Sequence, residues 1–201
     1  MNLHLHKVIS DLSGQTGISI IEAILRGERS PQKLAEYRHS RIRCSSEELR
    51  TALEGSYQDT YLFELQQAYD LFRFYEQKIQ ECDDQLEKQL NSYQKKTEEK
   101  PPSSKKRIQK EGNRPQFDTR SYLFQIYGVD LTQIDGIQAQ TGLTFLSEVG
   151  TDLSKFKNEK HFASWLGLSP HQKISGGKGL SSRTPKVKNQ CAIALRMAAS
   201  T

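Results

Sequence analysis

The stretch YLFELQQAYDLFRFYEQKIQECDDQLEKQLNSY, residues 61–93, decides how the rest of the chain is read. It holds no Gly or Pro, and its apolar residues recur every seven positions. Leu65, Phe72, Ile79, Leu86 and Tyr93 share one heptad position, and Tyr61, Ala68, Tyr75 and Cys82 share another. That is the seam of a coiled coil. A helix over this stretch is ~50 Å long, more than a small domain covers. The pattern therefore predicts a partner helix, either from a second copy or folded back within the chain. Packing of Phe72 and Tyr75 on a globular domain is the alternative.

Upstream, residues 1–57 read as short helices separated by turns. Ser30-Pro31 puts a cap residue before a proline at the first helical position. Ser45-Ser46-Glu47-Glu48 carries the S-x-x-E capping-box pattern ahead of Leu49 and Leu53. Leu12-Ser13-Gly14 and Arg26-Gly27-Glu28 are stop signals. Residues 58–94 form the long helix, and residues 95–120, with Pro101-Pro102-Ser103-Ser104-Lys105-Lys106-Arg107, read as a basic flexible linker whose lysines can follow a phosphate backbone. From residue 121 to 201 apolar density returns as a small helical domain that ends inside a helix. The fold class expected is mainly α.

Composition narrows the function. Of 201 residues, 35% are apolar and 26% charged, with a net charge of +5 and a mean hydropathy of -0.72. No apolar run reaches the ~18 residues of a membrane span, and the N-terminus has no secretory pattern, so a cytoplasmic protein without a membrane partner is expected. Cys44, Cys82 and Cys191 suit neither a disulfide framework nor a zinc site. The five histidines, His4, His6, His39, His161 and His171, have no ligand spacing beyond the local His4-x-His6 pair, and no metal site is assigned.

Charge is laid down in blocks. Residues 1–94 carry -4, residues 95–120 carry +5, and residues 121–154 carry -4 with no Lys or Arg. Residues 155–201 hold nine basic side chains against one acid, Glu159. Such a one-sided block is the footprint of a segment that meets a polyanion; the alternative is a solvated basic face.

Two motifs in the last domain could carry that contact. Residues 131–143, LTQIDGIQAQTGL, resemble a helix-hairpin-helix, in which a glycine turn aims helix N-terminal amides at a phosphate. Gly136, Ile137 and Gln138 are its candidate DNA-binding residues, although Gln138 stands where a second glycine is usual. The same residues also make an ordinary helical corner. Downstream, Phe156, Phe162, Trp165 and Leu166 have helical spacing and read as core. After Pro170 a Gly-rich basic loop follows: Ser175, Gly176 and Gly177 allow close backbone approach to a phosphodiester, with Lys173, Lys178, Arg183, Lys186 and Lys188 to neutralise it. On chemistry alone Ser175 reads as a turn residue ahead of a nucleophile, because only the electropositive part of an activated serine is visible.

Taken in order, Ile134-Asp135-Gly136-Ile137, Leu146-Ser147-Glu148-Val149-Gly150, Phe162-Ala163-Ser164-Trp165-Leu166-Gly167-Leu168-Ser169-Pro170, Ser175-Gly176-Gly177-Lys178 and Ala194-Leu195-Arg196 resemble the C-terminal transposase domain of the insertion-sequence "one-ten" family of bacterial, bridge-RNA-guided DNA recombinases. Residues 1–29 resemble the middle region of those proteins, and the helix from Tyr61 resembles their coiled coil. The resemblance implies strand cleavage and exchange in DNA transposition, with Ser175 at the position of the catalytic serine. It implies DNA and bridge RNA as partners and self-association through the coiled coil. It also implies a RuvC-like domain whose acidic residues hold Mg2+. That domain belongs ahead of residue 1, so the resemblance implies a fragment, inactive alone. A noncatalytic nucleic-acid-binding and dimerisation remnant is the competing expectation.

Overall fold

The computed structural model describes residues 1–103, 114–170 and 173–200, and is mainly helical, as the sequence predicts. It divides into two compact units, residues 1–79 and 80–200 of those described.

In the first unit, α1 (Leu5–Val8), α2 (Gln15–Leu25), α3 (Pro31–Ala35) and α4 (Ser46–Ala52) precede the start of α5 (Asp59–Ser92). The local signals explain where they begin. Pro31 occupies the first helical position of α3. The Ser45 hydroxyl accepts from the Glu48 amide at 3.1 Å while the Glu48 carboxylate accepts from the Ser45 amide at 2.7 Å, completing the capping box of α4. Ser30 does not cap through its side chain; its hydroxyl instead donates to Gln32 Oε1 at 3.0 Å. Gly27 ends α2 with a φ of 102°, a conformation that disfavours a Cβ. Gly17 is small for another reason: a Cβ there would lie 2.2 Å from the Leu12 carbonyl oxygen.

The core of this unit is Leu5, Ile9, Ile20, Ala23, Ile24, Leu34, Ala35, Leu49 and Leu53, with Leu62 and Leu65 of α5 packed against it. Ile20, Ile24, Leu34, Leu49 and Leu53 are almost fully buried, and each contributes about 1.5–3 kcal/mol of transfer free energy.

The second unit begins within α5. It continues through α6 (Thr119–Tyr127), a single 3-10 turn (Leu131–Gln133), α7 (Ala139–Val149), α8 (Glu159–Trp165), strands β1 (Lys173–Ser175) and β2 (Lys178–Ser181), and α9 (Gln190–Ala199). Leu90 of α5 is buried with Leu123, Ile126 and Leu146, and Leu86, Tyr93 and Phe117 pack around them. The Asp83 carboxylate accepts from the Gln116 amide at 2.8 Å, and the amides of Lys96 and Thr97 donate to the Gln125 carbonyl. Residues on both sides of the linker's central part are thus tied to α5 and α6. Residues 104–113, which include the basic run Lys105-Lys106-Arg107, lie outside the described residues.

One ion pair fixes the path from α6 into the 3-10 turn. Asp130 keeps 3% of its side chain exposed and Arg120 17%, and the guanidinium Nη2 donates to Asp130 Oδ2 at 2.5 Å. The same carboxylate accepts from the Thr132 amide and hydroxyl at 3.1 and 2.7 Å and from Gln133 Nε2 at 2.9 Å. Arg120 Nη2 also donates to the Pro102 carbonyl at 2.6 Å. Burial by itself would raise the Asp130 carboxyl, but the bonds from Arg120, Thr132 and Gln133 outweigh it and hold the group well below the usual carboxylate range.

A carboxyl that titrates lower in the fold than in the unfolded chain stabilises above the unfolded value of about 4 and loses that contribution as pH falls through the folded value. Asp130→Asn is therefore expected to cost about 3 kcal/mol at pH 7, since it leaves the Arg120 charge without its partner. Urea unfolding followed at neutral pH and again near pH 2 checks it: the gap between parent and variant narrows in acid.

Candidate nucleic-acid interface

The platform for the basic C-terminal stretch is the cluster of Val149, Leu166, Cys191 and Ala192 formed where α7 packs on α9. Phe145, Phe156, Phe162, Leu168, Val187 and Leu195 pack against it. The aromatic rings form a connected series, with centroids 5.9 Å apart for Tyr127 and Phe145, 5.8 Å for Phe145 and Phe162, and 5.0 Å for Phe162 and Phe156. Phe156 and Trp165 are 5.4 Å apart, and Lys155 Nζ lies over both of those rings. Phe156, Phe162 and Leu166 serve the core as expected, but Phe156 does so from the turn ahead of α8 and not from a shared helix face, and Trp165, also expected in the core, stays 45% exposed. Burial, with a smaller contribution from Glu148, pushes the Cys191 thiol up and keeps it protonated.

Leu168 and Val187 bracket the Gly-rich stretch and sit in the same cluster, so the chain leaves the core and returns to it at fixed points. Gly167 makes the departure possible. Its φ is 65°, and a Cβ would lie 2.7 and 2.8 Å from the two Val187 methyl groups. Its carbonyl also accepts from Arg196 Nη2 at 2.9 Å.

Between these anchors the expected loop takes the form of a β-hairpin. β1 and β2 are antiparallel, with Ser175 opposite Lys178, Ile174 opposite Gly179, and an irregularity between Lys173 and Ile174. Gly176 and Gly177 form the two-residue turn with φ of 57° and 76°. Two positive φ values in succession match the twist of the strands and favour Gly-Gly strongly. A Cβ at either position meets nothing within 4 Å, so conformation and not space is what requires glycine here.

Ser175 is the last residue before that turn. It is exposed, as are Ile174, Gly176, Gly177 and Lys178, and its hydroxyl has no hydrogen-bond partner among the described residues.

The segment after the hairpin alternates. Val187 turns into the core while Lys186 and Lys188 are exposed, the period of an extended chain. Arg183, Lys186, Lys188 and Lys178 form no ion pair among the described residues. The backbone of Lys173 opens β1.

The other candidate, Gly136 to Gln138, is built differently from the helix-hairpin-helix pattern. A single 3-10 turn stands where the first helix is expected: α6 ends at Gly128 in the left-handed conformation, Asp130 caps a new start through the Thr132 amide, and the backbone is already extended at Ile134. Gly136 has a φ of 77°, the Ile137 amide donates to the Ile134 carbonyl at 3.2 Å, and α7 starts at Ala139. No side chain caps α7 from Gln138; the Gln138 Oε1 accepts instead from Arg114. Lys173 to Lys188 and the Gly136 turn are therefore separate features of this unit, both attached to α7 and its packing partners. The Arg120–Asp130 pair, which sets the geometry of the turn, was not singled out from the sequence; the only signal was the Asp130-x-Thr132 spacing of a local cap.

Among the described residues no cluster of three His, Cys, Asp or Glu side chains is placed to hold a metal ion. No helix among them is long and apolar enough to cross a membrane.

Comparison with protein families gives a match of residues 130–201 to the model described as Transposase IS116/IS110/IS902 family. The match is consistent with the resemblance read from the sequence, and it takes in Asp130, the Gly136 turn, the hairpin and α9. Neither the curated proteins nor the solved structures give a match.

Gly167→Ala is expected to destabilise this unit by about 2–4 kcal/mol, from overpacking against Val187 and strain at a positive φ. Thermal unfolding of the two proteins measures the loss. Gly27→Ala, strained but with open space around it, should cost less.

Proposed function

We propose that the chain is part of a cytoplasmic DNA transposase that acts in strand cleavage and exchange during movement of an insertion sequence, with Ser175 as its nucleophile. The observation that carries this reading is an exposed serine fixed beside a Gly-Gly turn, within a stretch that is almost purely basic and lies inside the transposase family match.

In the proposed step the Ser175 oxygen attacks a backbone phosphorus. A serine–phosphate ester forms, one deoxyribose oxygen leaves and takes up a proton, and the serine proton passes to a base. A hydroxyl from a second strand then attacks the same phosphorus and releases the serine. Lys178, Lys186, Lys188 and Arg183 balance phosphate charge, and the glycines let the backbone approach. The Gly136 turn offers the amides at the start of α7 to a second phosphate, as a partial helix-hairpin-helix.

Mg2+ and the acidic residues that hold it are assigned by the resemblance to a RuvC-like domain, not to residues described in this chain. Accordingly no step here runs through a metal. Bridge RNA is the further partner in this reading.

A second reading, a noncatalytic DNA-binding and dimerisation remnant, is supported by the Ser175 hydroxyl having no hydrogen-bonded base among the described residues. One experiment separates the two: strand exchange on donor and target DNA, with the RuvC-like domain and bridge RNA of a full-length relative supplied. Ser175→Ala is expected to reduce exchange at least a thousandfold while DNA binding stays within about threefold. Equal exchange by parent and variant removes Ser175 from the mechanism.

Self-association belongs to the same proposal. Tyr75 and Ile79, one from each heptad series, are 62% and 57% exposed on α5, as a seam is before it is paired. Tyr75→Glu with Ile79→Glu is expected to turn a dimer into a monomer in analytical ultracentrifugation, with helicity largely kept.

A further inference from the structure

We infer that the loop joining α3 to α4 in the first unit, through Arg41 and Arg43, is a second contact for the phosphate backbone of double-stranded DNA, outside the family match. The inference rests on the DNA-binding reading above and adds a surface to it.

Charge in this unit is concentrated. Residues 26–43 hold six Lys and Arg against Glu28 and Glu36, a net +4, while the rest of residues 1–79 carries four basic and nine acidic side chains.

Most of its arginines are already used. Arg26 pairs with Glu22, Arg50 with Glu47 and Glu54, and Arg73 with Glu76. Arg29 donates to the carbonyls of Ile24 and Glu28 and lies over the Tyr57 ring. The depression lined by Gly27, Glu28, Lys33 and Tyr37 is neutralised too, with Lys33 paired to Glu28. Arg41 and Arg43 differ: both are exposed, and neither side chain makes a hydrogen bond or ion pair among the described residues.

The loop that carries them is fixed. Arg38 Nε donates to the Cys44 carbonyl at 2.6 Å and its Nη2 to the Ile42 carbonyl at 2.7 Å. The His39 amide donates to Thr16 Oγ1 at 3.0 Å, and the Ile42 amide to the His39 carbonyl at 3.0 Å. Ile42 and Cys44 pack against the core, so the residues alternating with them, Arg41 and Arg43, are the exposed ones. The capping box at Ser45 then holds the far end.

One arginine is thus spent on shaping a loop that presents two others with no carboxylate to meet them. Guanidinium forks match phosphate oxygens, and a fixed loop loses little conformational entropy on binding.

The test is the salt dependence of binding of the full chain to a random-sequence DNA duplex. Each phosphate contact removed lowers the slope of log K against log salt by about 0.9. Arg41→Ala with Arg43→Ala is expected to lower it by about 1.8, with an unchanged circular dichroism spectrum, and Arg41→Lys with Arg43→Lys to restore it. An unchanged slope in the alanine variant overturns the proposal, as does a loss seen only with duplex RNA of the same length. Lys178→Ala with Lys186→Ala and Lys188→Ala tests the C-terminal contact separately. A slope lost there and kept in the arginine variant rejects the loop alone, whereas a parent that binds no DNA rejects both.

Discussion

A helix some 50 Å long cannot bury its own apolar stripe, and much of this molecule is arranged around that constraint. α5 hands Leu62 and Leu65 to the core of the first unit and Leu86 and Leu90 to the core of the second. Between them Tyr75 and Ile79, one from each heptad series, are 62% and 57% exposed. The two ends of the helix are packed within their own units, and its middle stays exposed.

The second unit shows how a small core can position a surface feature. In the hairpin Ile174 is 64% exposed and the turn is two glycines. Its placement comes from its ends, where Leu168 and Val187 enter one cluster and Arg196 holds the Gly167 carbonyl. Ser175 is therefore presented on a short strand pair whose flanking residues, Leu168 and Val187, enter the core. Among the described residues Ser175 is exposed, stands opposite Lys178 in the strand pair and has no hydrogen-bond partner for its hydroxyl.

Some arginines of this protein act as builders as well as charges. Arg38, Arg120 and Arg196 each donate to a backbone carbonyl of a turn or chain segment. Arg120 does so while neutralising Asp130. A count of positive charge overstates the surface available to a polyanion, because a guanidinium committed to carbonyls or carboxylates has fewer donors left for phosphate. Lys178, Lys186 and Lys188 in one unit and Arg41 and Arg43 in the other remain outside those networks.

Local chemistry was legible in the sequence. The capping box at Ser45, Pro31 at a helix start, the uninterrupted heptad helix, the core role of Phe156 and Phe162 and the concentration of positive charge after Lys155 each depend on residues a few positions apart, where propensity and spacing decide. The long-range pairs were not legible. Nothing in the spacing of Gly167 and Val187, or of Arg120 and Asp130, says that they meet. Gly176 and Gly177 mark a two-residue turn and a flexible loop equally well in sequence, and only strand pairing separates the two. The first helix of the expected hairpin motif is one 3-10 turn, bounded by the left-handed Gly128 that ends α6 and by the extended backbone at Ile134. Sequence determined the long helix, the starts of α3 and α4 and where the charge lies; tertiary packing decided the strand pair and which side chains hold the fold and which stay exposed, because those rest on contacts between residues far apart in the chain.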